Sequence, residues 1–533
     1  MKSSKKIMIY SAIIIVVSSS LSGCVLNQIF GTSFSLVSFD IVDDEGFAGM
    51  YMVFTNTGTI TVKMYNPSGN TVDSELFLRS NNDATNDAIF HLTSYKETAP
   101  AGQYSLVVYD KNDNIVFEKT FDINEPELSI SSCSQVWWKR ELSKLGYSLI
   151  GLNIKVYNHG SIPVYPYTVD LLVDSQTFSG LVLPCVVMPN ENKTMDCFIY
   201  KSSTPGEDIF TLSLKDVDGN VLSSDSFAID TDDNVLTEEF KWNYNGRSRR
   251  LIVPYPEFLF NYYSNLDRIF DEDYGLYVFD KYDEDYLDLF VDLLVSSDSD
   301  VDNINFVVSF VQNLEYKKDS NANESFEYPR YPIETLFNGE GGGDCEDKAI
   351  LAASILSQMG YDVALFRLTN HMAVGVCINQ NISGYERYID DYYFLETTSV
   401  GGTLGYIPNE YKSRYNLTVY PISSRPLLIH SWKNNSLTIF TNTDIGDFVK
   451  VTSIVKNLGS DTAEDILFKG AFYTAYNQEL NAKTSTISLL KPGMQEEVTI
   501  IVYIPKDLST TFKTRVYLNG EVVDEKEASA SFP

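Results

Sequence analysis

The sequence predicts a multidomain protein in which one α+β domain is flanked by all-β sandwiches. Three observations lead there. A chain of 533 residues is too long for one core, and about three to five domains are expected. Short runs of alternating polar and apolar residues, separated by turn residues, dominate residues 33–124, 126–232 and 427–533, which is the pattern of half-buried strands. Residues 237–420 differ. Tyr, Phe and acidic side chains are dense there, and apolar residues recur at helical spacing.

The elements follow in chain order. Residues 1–24 carry Lys2, Lys5 and Lys6, then a largely apolar run to Leu21, then Ser22-Gly23-Cys24. A charged start, a short apolar stretch and small residues describe an export signal. The apolar run is shorter than the ~20 residues that span a bilayer. Its end resembles a lipoprotein signal, in which Cys24 becomes the lipidated first residue. An uncleaved signal anchor or ordinary cleavage near Gly23 are the alternatives, and all three place the rest of the chain outside the cytoplasm.

From Phe34 to Ile123 the expected strands include Met50–Thr55, Ile60–Tyr65, Ala88–Ser94, Gln103–Tyr109 and Val116–Phe121. The second β region includes Ser148–Asn158, Thr168–Val173, Lys193–Tyr200 and Ile209–Val217. The C-terminal region repeats its pattern. In each, a strand ends at Asn-x-Gly, at Asn158–Gly160 and at Asn457–Gly459, which suits a left-handed turn. Both regions resemble the immunoglobulin-like modules of microbial surface proteins. If residues 185–197 form a hairpin centred on Glu191, Cys185 faces Cys197 at disulfide distance.

Composition narrows the function classes. The formal net charge is −32, which argues against nucleic acid as a partner, because a polyanion needs a basic footprint. No Cys-x-x-Cys pair or His/Cys cluster points to structural zinc.

The chemical signal lies in residues 341–396. Gly341-Gly-Gly-Asp344-Cys345-Glu346-Asp347 opens a helix, with Asp344 as its cap, an apolar face from Ala349 to Met359 and Gly360 just past its end. Gly341–Gly343 would let the backbone approach a substrate closely. The helix dipole favours a thiolate at Cys345, whereas Glu346 and Asp347 oppose it. Strands are expected at Asp362–Leu368, His371–Ile378 and Tyr392–Thr397, with a turn at Asp390-Asp391. On the second, His371 shares a face with Ala373, Gly375 and Cys377, small neighbours that would leave room for the helix end. Cys377, six residues on, lies ~20 Å from His371. Cys345 is thus the candidate nucleophile, His371 the general acid/base and Glu396 the acid that fixes its tautomer.

Gly343-Asp-Cys-Glu-Asp-Lys-Ala349, His371-Met-Ala-Val-Gly-Val376 and Leu395-Glu-Thr-Thr398, with Phe310–Tyr316 and Tyr328–Pro332 upstream, resemble the transglutaminase-like superfamily of papain-fold cysteine enzymes. The resemblance covers most of residues 237–420. It implies a papain-like α+β fold and the roles just given to Cys345, His371 and Glu396. The third member of the superfamily's triad is most often Asp, and here it is Glu followed by two threonines. Gln312 stands where papain-type enzymes carry an oxyanion donor. Some members bind calcium through acids flanking the nucleophile, so Ca²⁺ near Asp344, Glu346 and Asp347 is an alternative to the preferred reading of these acids as cap and dipole compensation. No cofactor is required.

The expectation is therefore a cell-surface thiol enzyme, anchored to the membrane through lipid or signal segment, that cleaves amide bonds of a protein or peptide substrate through an acyl-thioester. Cross-linking acyl transfer and a non-catalytic binding or scaffold role are the alternatives.

Overall fold

The computed structural model describes residues 32–532 except 79–84, 140–146, 174, 201–208, 231–234, 267, 269–273, 296, 298, 320–327, 340, 414–415, 423–424, 434–436, 442–445 and 460. Residues 1–24, read above as an export signal ending at Cys24, therefore lie outside the described residues. No described helix is long and apolar enough to cross a membrane.

Near the N-terminus, a three-stranded sheet (Phe34–Asp44, Phe47–Asn56, Asn86–His91) faces a four-stranded one (Thr71–Phe77, Ile60–Tyr65, Gly102–Asp110, Ile115–Ile123). Alternate residues of both, among them Met50, Met52, Phe54, Val62, Met64 and Tyr104, fill the space between them. That alternation follows from the two-residue period of a strand.

The next region departs from the expected sandwich. Its strands form one seven-stranded antiparallel sheet, ordered Val221–Ala228, Ile209–Lys215, Thr168–Val173, Gln176–Val182, Asn192–Phe198, Tyr147–Asn158, Leu128–Lys139. The sheet curls until its edges meet. Gln135 Nε2 donates to the Ala228 carbonyl at 2.8 Å, and the Asp230 amide donates to Gln135 Oε1 at 3.3 Å. A single core, with Trp137, Leu152, Ile154 and Leu212, fills this near-barrel. The expected Cys185–Cys197 bond is absent, since all five described cysteines are free. Cys197 pairs with Val182, three residues before Cys185, so the strand leaves the ladder before the two thiols can face each other.

The C-terminal region packs two four-stranded sheets over Val449, Val451, Phe468 and Phe512. The Asn-x-Gly repeat has the same role here as in the near-barrel. Asn158 Nδ2 donates to the Ile162 and Val187 carbonyls (2.8 and 2.9 Å) while its Oδ1 accepts from Gly160 N (2.9 Å). Asn457 makes the equivalent bonds to Asp461, Leu490 and Gly459 (2.7, 2.8 and 3.0 Å). Neither glycine has a positive φ. A Cβ on Gly459 would lie 2.2 Å from the Arg425 carbonyl, so close approach, not a left-handed turn, requires it.

Between these regions lie a hairpin (Thr237–Tyr244, Arg247–Pro254), helices α1 (Glu257–Ser264), α2 (Glu284–Leu294), α3 (Asp300–Asn313), α4 (Pro332–Phe337) and α5 (Cys345–Gln358), and an antiparallel sheet ordered Tyr392–Leu395, His371–Cys377, Asp362–Leu368, Thr418–Ile422. Helix α5 is buried from Glu346 to Leu356, and its small Ala349, Ala352 and Ala353 allow close contact with its neighbours.

The fold class expected from the sequence is corrected by this architecture. Strands make up 52% and helices 14% of the described residues, with five α-helices and one sheet that nearly closes, so the chain is mainly β. It is not a papain-like α+β core between immunoglobulin-like sandwiches. Helical spacing in the middle of the chain does mark helices, at α2, α3 and α5, but strands outnumber them and so they do not set the fold class. In the near-barrel, alternation specifies a buried face but not whether two sheets or one curled sheet supplies it.

Candidate functional site

Cys345 is the first residue of α5. The loop before it is held by a short parallel pairing of Gly342–Gly343 with Glu315–Tyr316. Gly342 has φ +145°, and a Cβ there would lie 2.3 Å from the Glu315 carbonyl; one on Gly343 would lie 2.4 Å from Asp347. These glycines serve packing inside the protein rather than approach by a substrate. At the helix start, the Asp344 amide donates to Asp347 Oδ2 at 3.2 Å. At its end, Gly360 takes φ +88° and the Tyr361 amide returns to the Leu356 carbonyl at 3.1 Å, closing the last turn.

His371 opens its strand after a tight turn, with Asn370 at φ +57° and His371 opposite Leu368. Met372, Val374 and Val376 join the same core as α5, whereas Ala373 belongs to a separate cluster with Phe366, Tyr388 and Phe394. The small residues beside His371 therefore make room for an aromatic cluster and not for the helix. A Cβ on Gly375 would lie 2.2 Å from the Phe366 ring.

Glu396 follows the strand Tyr392–Leu395 and is 1% exposed. His371 Nε2 lies 3.0 Å from Glu396 Oε2. An ionised carboxylate only accepts, so Nε2–H is the donor and Nδ1 is the ring nitrogen left open. Glu396 Oε1 accepts from the amides of Thr398 (2.8 Å) and Ser399 (3.1 Å) and from the Thr398 hydroxyl. Burial opposes ionisation, but the bond and charge of His371 and the bonds from Thr398 outweigh it and lower the carboxyl to about 2. The second threonine after Glu396 is thus a positioning residue, and the sequence carried the signal in the Glu-Thr-Thr run.

The thiol makes a different contact. Cys345 Sγ donates to Glu346 Oε2 at 3.2 Å, and no hydrogen bond joins it to the imidazole. Burial and the Glu346 carboxylate push its pKa well above the usual thiol value, while the Met372 backbone, next to His371, pulls the other way. The structure thus joins His371 to Glu396 and brings Cys345 to the neighbouring amide, with the sulfur turned to Glu346. Tyr411, absent from the sequence-based set, stacks on His371 with ring centroids 4.6 Å apart and planes 8° apart. No local pattern marks it, because it comes from a short 3₁₀ turn at Asn409–Tyr411.

Gln312 is not an oxyanion donor in this arrangement. Both hydrogens of its amide are used, to the Glu396 and Gly402 carbonyls (2.8 and 2.9 Å), and its Oε1 accepts from Gly401 (3.0 Å). It fastens α3 to the loop carrying Glu396. Lys348 does similar work, donating to the Gln312 and Leu314 carbonyls (3.3 and 2.6 Å). Burial lowers its pKa to about 8, against the pull of Glu396.

The acids around Cys345 divide. Asp347 is buried, accepts from the Arg330 amide at 2.8 Å and forms an ion pair with its guanidinium. Asp319, Asp344 and Glu346 each bring a carboxylate oxygen within 4.8 Å of the others. These are hard oxygen donors of the type Ca²⁺ takes, so Asp319 rather than Asp347 completes the group that could hold a cation.

No protein-family model matches the chain, and no curated protein matches it. Among solved structures it is similar to red sea bream transglutaminase (11% identity, 72% of this chain and 80% of that one, TM-score 0.18). It is also similar to Amycolatopsis orientalis exo-chitosanase (11% identity, 90% and 76%, TM-score 0.16) and to Bacteroides uniformis β-glucuronidase (11% identity, 31% and 22%, TM-score 0.16). All three are enzymes. At these scores the likeness carries no argument about fold or activity.

Proposed function

We propose that the chain is a cell-surface cysteine enzyme that cleaves amide bonds of a protein or peptide substrate through an acyl-thioester. The observation that carries this reading is the His371–Glu396 pair with Nδ1 left open, on a strand whose next residue, Met372, reaches the helix-start thiol through its backbone. In the proposed cycle the Cys345 thiol gives its proton to His371 and the imidazolium is stabilised by Glu396. The sulfur attacks the carbonyl carbon, and the imidazolium then protonates the departing amine as the C–N bond breaks. Water, deprotonated by His371, adds to the thioester and releases the acid and the thiol. Before the first step the sulfur must leave Glu346. A hard cation at Asp319, Asp344 and Glu346 would compete for that carboxylate, although the chemistry does not require one. Export and anchoring rest on the signal-like residues 1–24.

One observation favours a second reading. A half-buried neutral thiol bonded to Glu346 suits a non-catalytic scaffold, in which the pair and the thiol only pack. Incubating the soluble chain with proteins of its own envelope, with and without a primary amine and Ca²⁺, separates the readings by mass spectrometry. New cut ends that require Cys345 support hydrolysis. Amine incorporation or isopeptide links show acyl transfer instead. Neither product, with Cys345→Ala indistinguishable from the parent, supports the scaffold.

A further inference from the structure

Away from the thiol site, four parts of the chain meet around Tyr167. Lys96 comes from the N-terminal sheets, Tyr167 from the loop entering the near-barrel strand Thr168–Val173, Lys281 from the turn before α2, and Lys456 and Lys491 from the C-terminal sheets. This is an unusual gathering in a chain with 40 basic and 72 acidic residues.

Lys96 is 8% exposed. Its ammonium lies 5.3 Å from the centroid of the Tyr95 ring and 6.0 Å from that of Tyr167. It forms no ion pair among the described residues, although its backbone is fixed by a 2.7 Å bond from its amide to the Gly46 carbonyl. Lys281 stands against the same Tyr167 ring, 4.7 Å from its centroid, and donates to the Tyr167 hydroxyl at 3.0 Å. It too has no ion pair among the described residues. Its ammonium abuts the C-terminal region so closely that a Cβ on Gly493 would lie 2.5 Å from Nζ.

A buried ammonium with no counter-charge is costly. Here the buried Lys96 and the half-buried Lys281, neither in an ion pair among the described residues, share one ring and repel. Burial first, then Lys281, lowers Lys96 to about 8, with Lys456 adding to the effect and Cys185 and Asp43 opposing it. Burial lowers Lys281 to about 8 against Asp280 and Glu284. The nearby acids have other partners. Asp43 Oδ1 accepts from Tyr165 and the Gly46 amide (2.8 and 3.0 Å), and Asp280 Oδ1 accepts from Tyr263 and the Tyr282 amide (2.6 and 2.9 Å). The remaining acids in range are Glu45, beside Asp43, Glu284, beside Lys281, and Asp218, which Lys491 and Glu97 face.

We propose that this junction is a binding site for a small oxyanion of the phosphate class, held between the Lys96 and Lys281 ammonium groups at the edge of Tyr167. The anion would neutralise the two cations and link the N-terminal, near-barrel, helical and C-terminal regions. The site is independent of the thiol chemistry. Its occupant could be free phosphate or a phosphate group on a larger polymer.

Calorimetric titration of the soluble chain with inorganic phosphate, at constant ionic strength, tests this. Saturable binding is expected, with at least tenfold weaker affinity in both Lys96→Met and Lys281→Met and unchanged affinity in Lys111→Met on the exposed turn. A phosphorylated polymer competing for the same site would identify the larger source, and no competition would identify the free ion. A second readout guards against misfolded variants. Lysines of the unsubstituted chain, reductively methylated with ¹³C, should include two that titrate near pH 8 and move upward when phosphate is added. Absence of saturable binding, or equal affinity in all three variants, overturns the proposal. So does a pair of lysine titrations that phosphate leaves unmoved.

Discussion

Among the described residues three histidines pair with carboxylates, His91 with Asp44, His371 with Glu396 and His430 with Asp524, and the last two pairs have opposite surroundings. In the C-terminal sheets, His430 is 2% exposed. Its Nδ1 lies 2.7 Å from Asp524 Oδ2 and its Nε2 lies 2.7 Å from the Thr514 hydroxyl, which also accepts from Trp432. Both ring nitrogens are used, and the pair is a structural clasp. At the thiol site, Glu396 takes Nε2 and leaves Nδ1 without a hydrogen bond among the described residues, on a ring stacked with Tyr411. A histidine–acid hydrogen bond therefore says little about function by itself. What separates the two is an open ring nitrogen on a strand whose next residue, Met372, reaches a helix-start thiol.

Four substitutions break or sharpen this contrast. The largest effect is expected from His371→Ala, which should lower the rate of Cys345-dependent amide cleavage by about 10²–10⁴-fold, measured by quantitative mass spectrometry of the cut ends. Glu396→Gln comes next. The carboxyl sits at about 2 in the fold and 4.5 as its ordinary value, so its contribution is present above about pH 4.5 and is lost as pH falls toward 2. Urea unfolding should show the variant less stable by up to about 3 kcal/mol at pH 7, with the gap closing across that window. His430→Ala should cost about 2 kcal/mol, because it strands the Asp524 and Thr514 partners, while leaving amide cleavage unchanged. The smallest effect is expected from Glu346→Gln. Removing that charge should lower the thiol pKa and speed alkylation of Cys345 about tenfold or less at pH 8.

The sequence revealed the local elements of the site better than the architecture around them. Helix α5 begins at Cys345 and stops before Gly360, as the cap residue, the apolar period and the terminal glycine imply. The strands Asp362–Leu368 and His371–Cys377 fall within a residue of the alternation that marks them. Relations between elements were less visible. Alternation identified the strands of the near-barrel but not its curl, and so it misplaced Cys185 relative to Cys197. Small residues next to His371 signalled a close neighbour without saying that the neighbour is Phe366. Gln312 lies at a helix position that suits an oxyanion donor, yet three long-range backbone bonds consume it. Tyr411 and Asp319 reach the site across long sequence separations, which no local period records.

The account rests on whether the open imidazole nitrogen can take the proton of Cys345. The most direct measurement is the rate of iodoacetamide alkylation at Cys345 in the folded chain, followed peptide by peptide with Cys377 as internal reference, for the parent and for His371→Ala. The account predicts that Cys345 reacts faster than the same cysteine in urea-unfolded chain and that the substitution removes this advantage. Equal rates at Cys345 in the parent, the variant and the unfolded chain would contradict it.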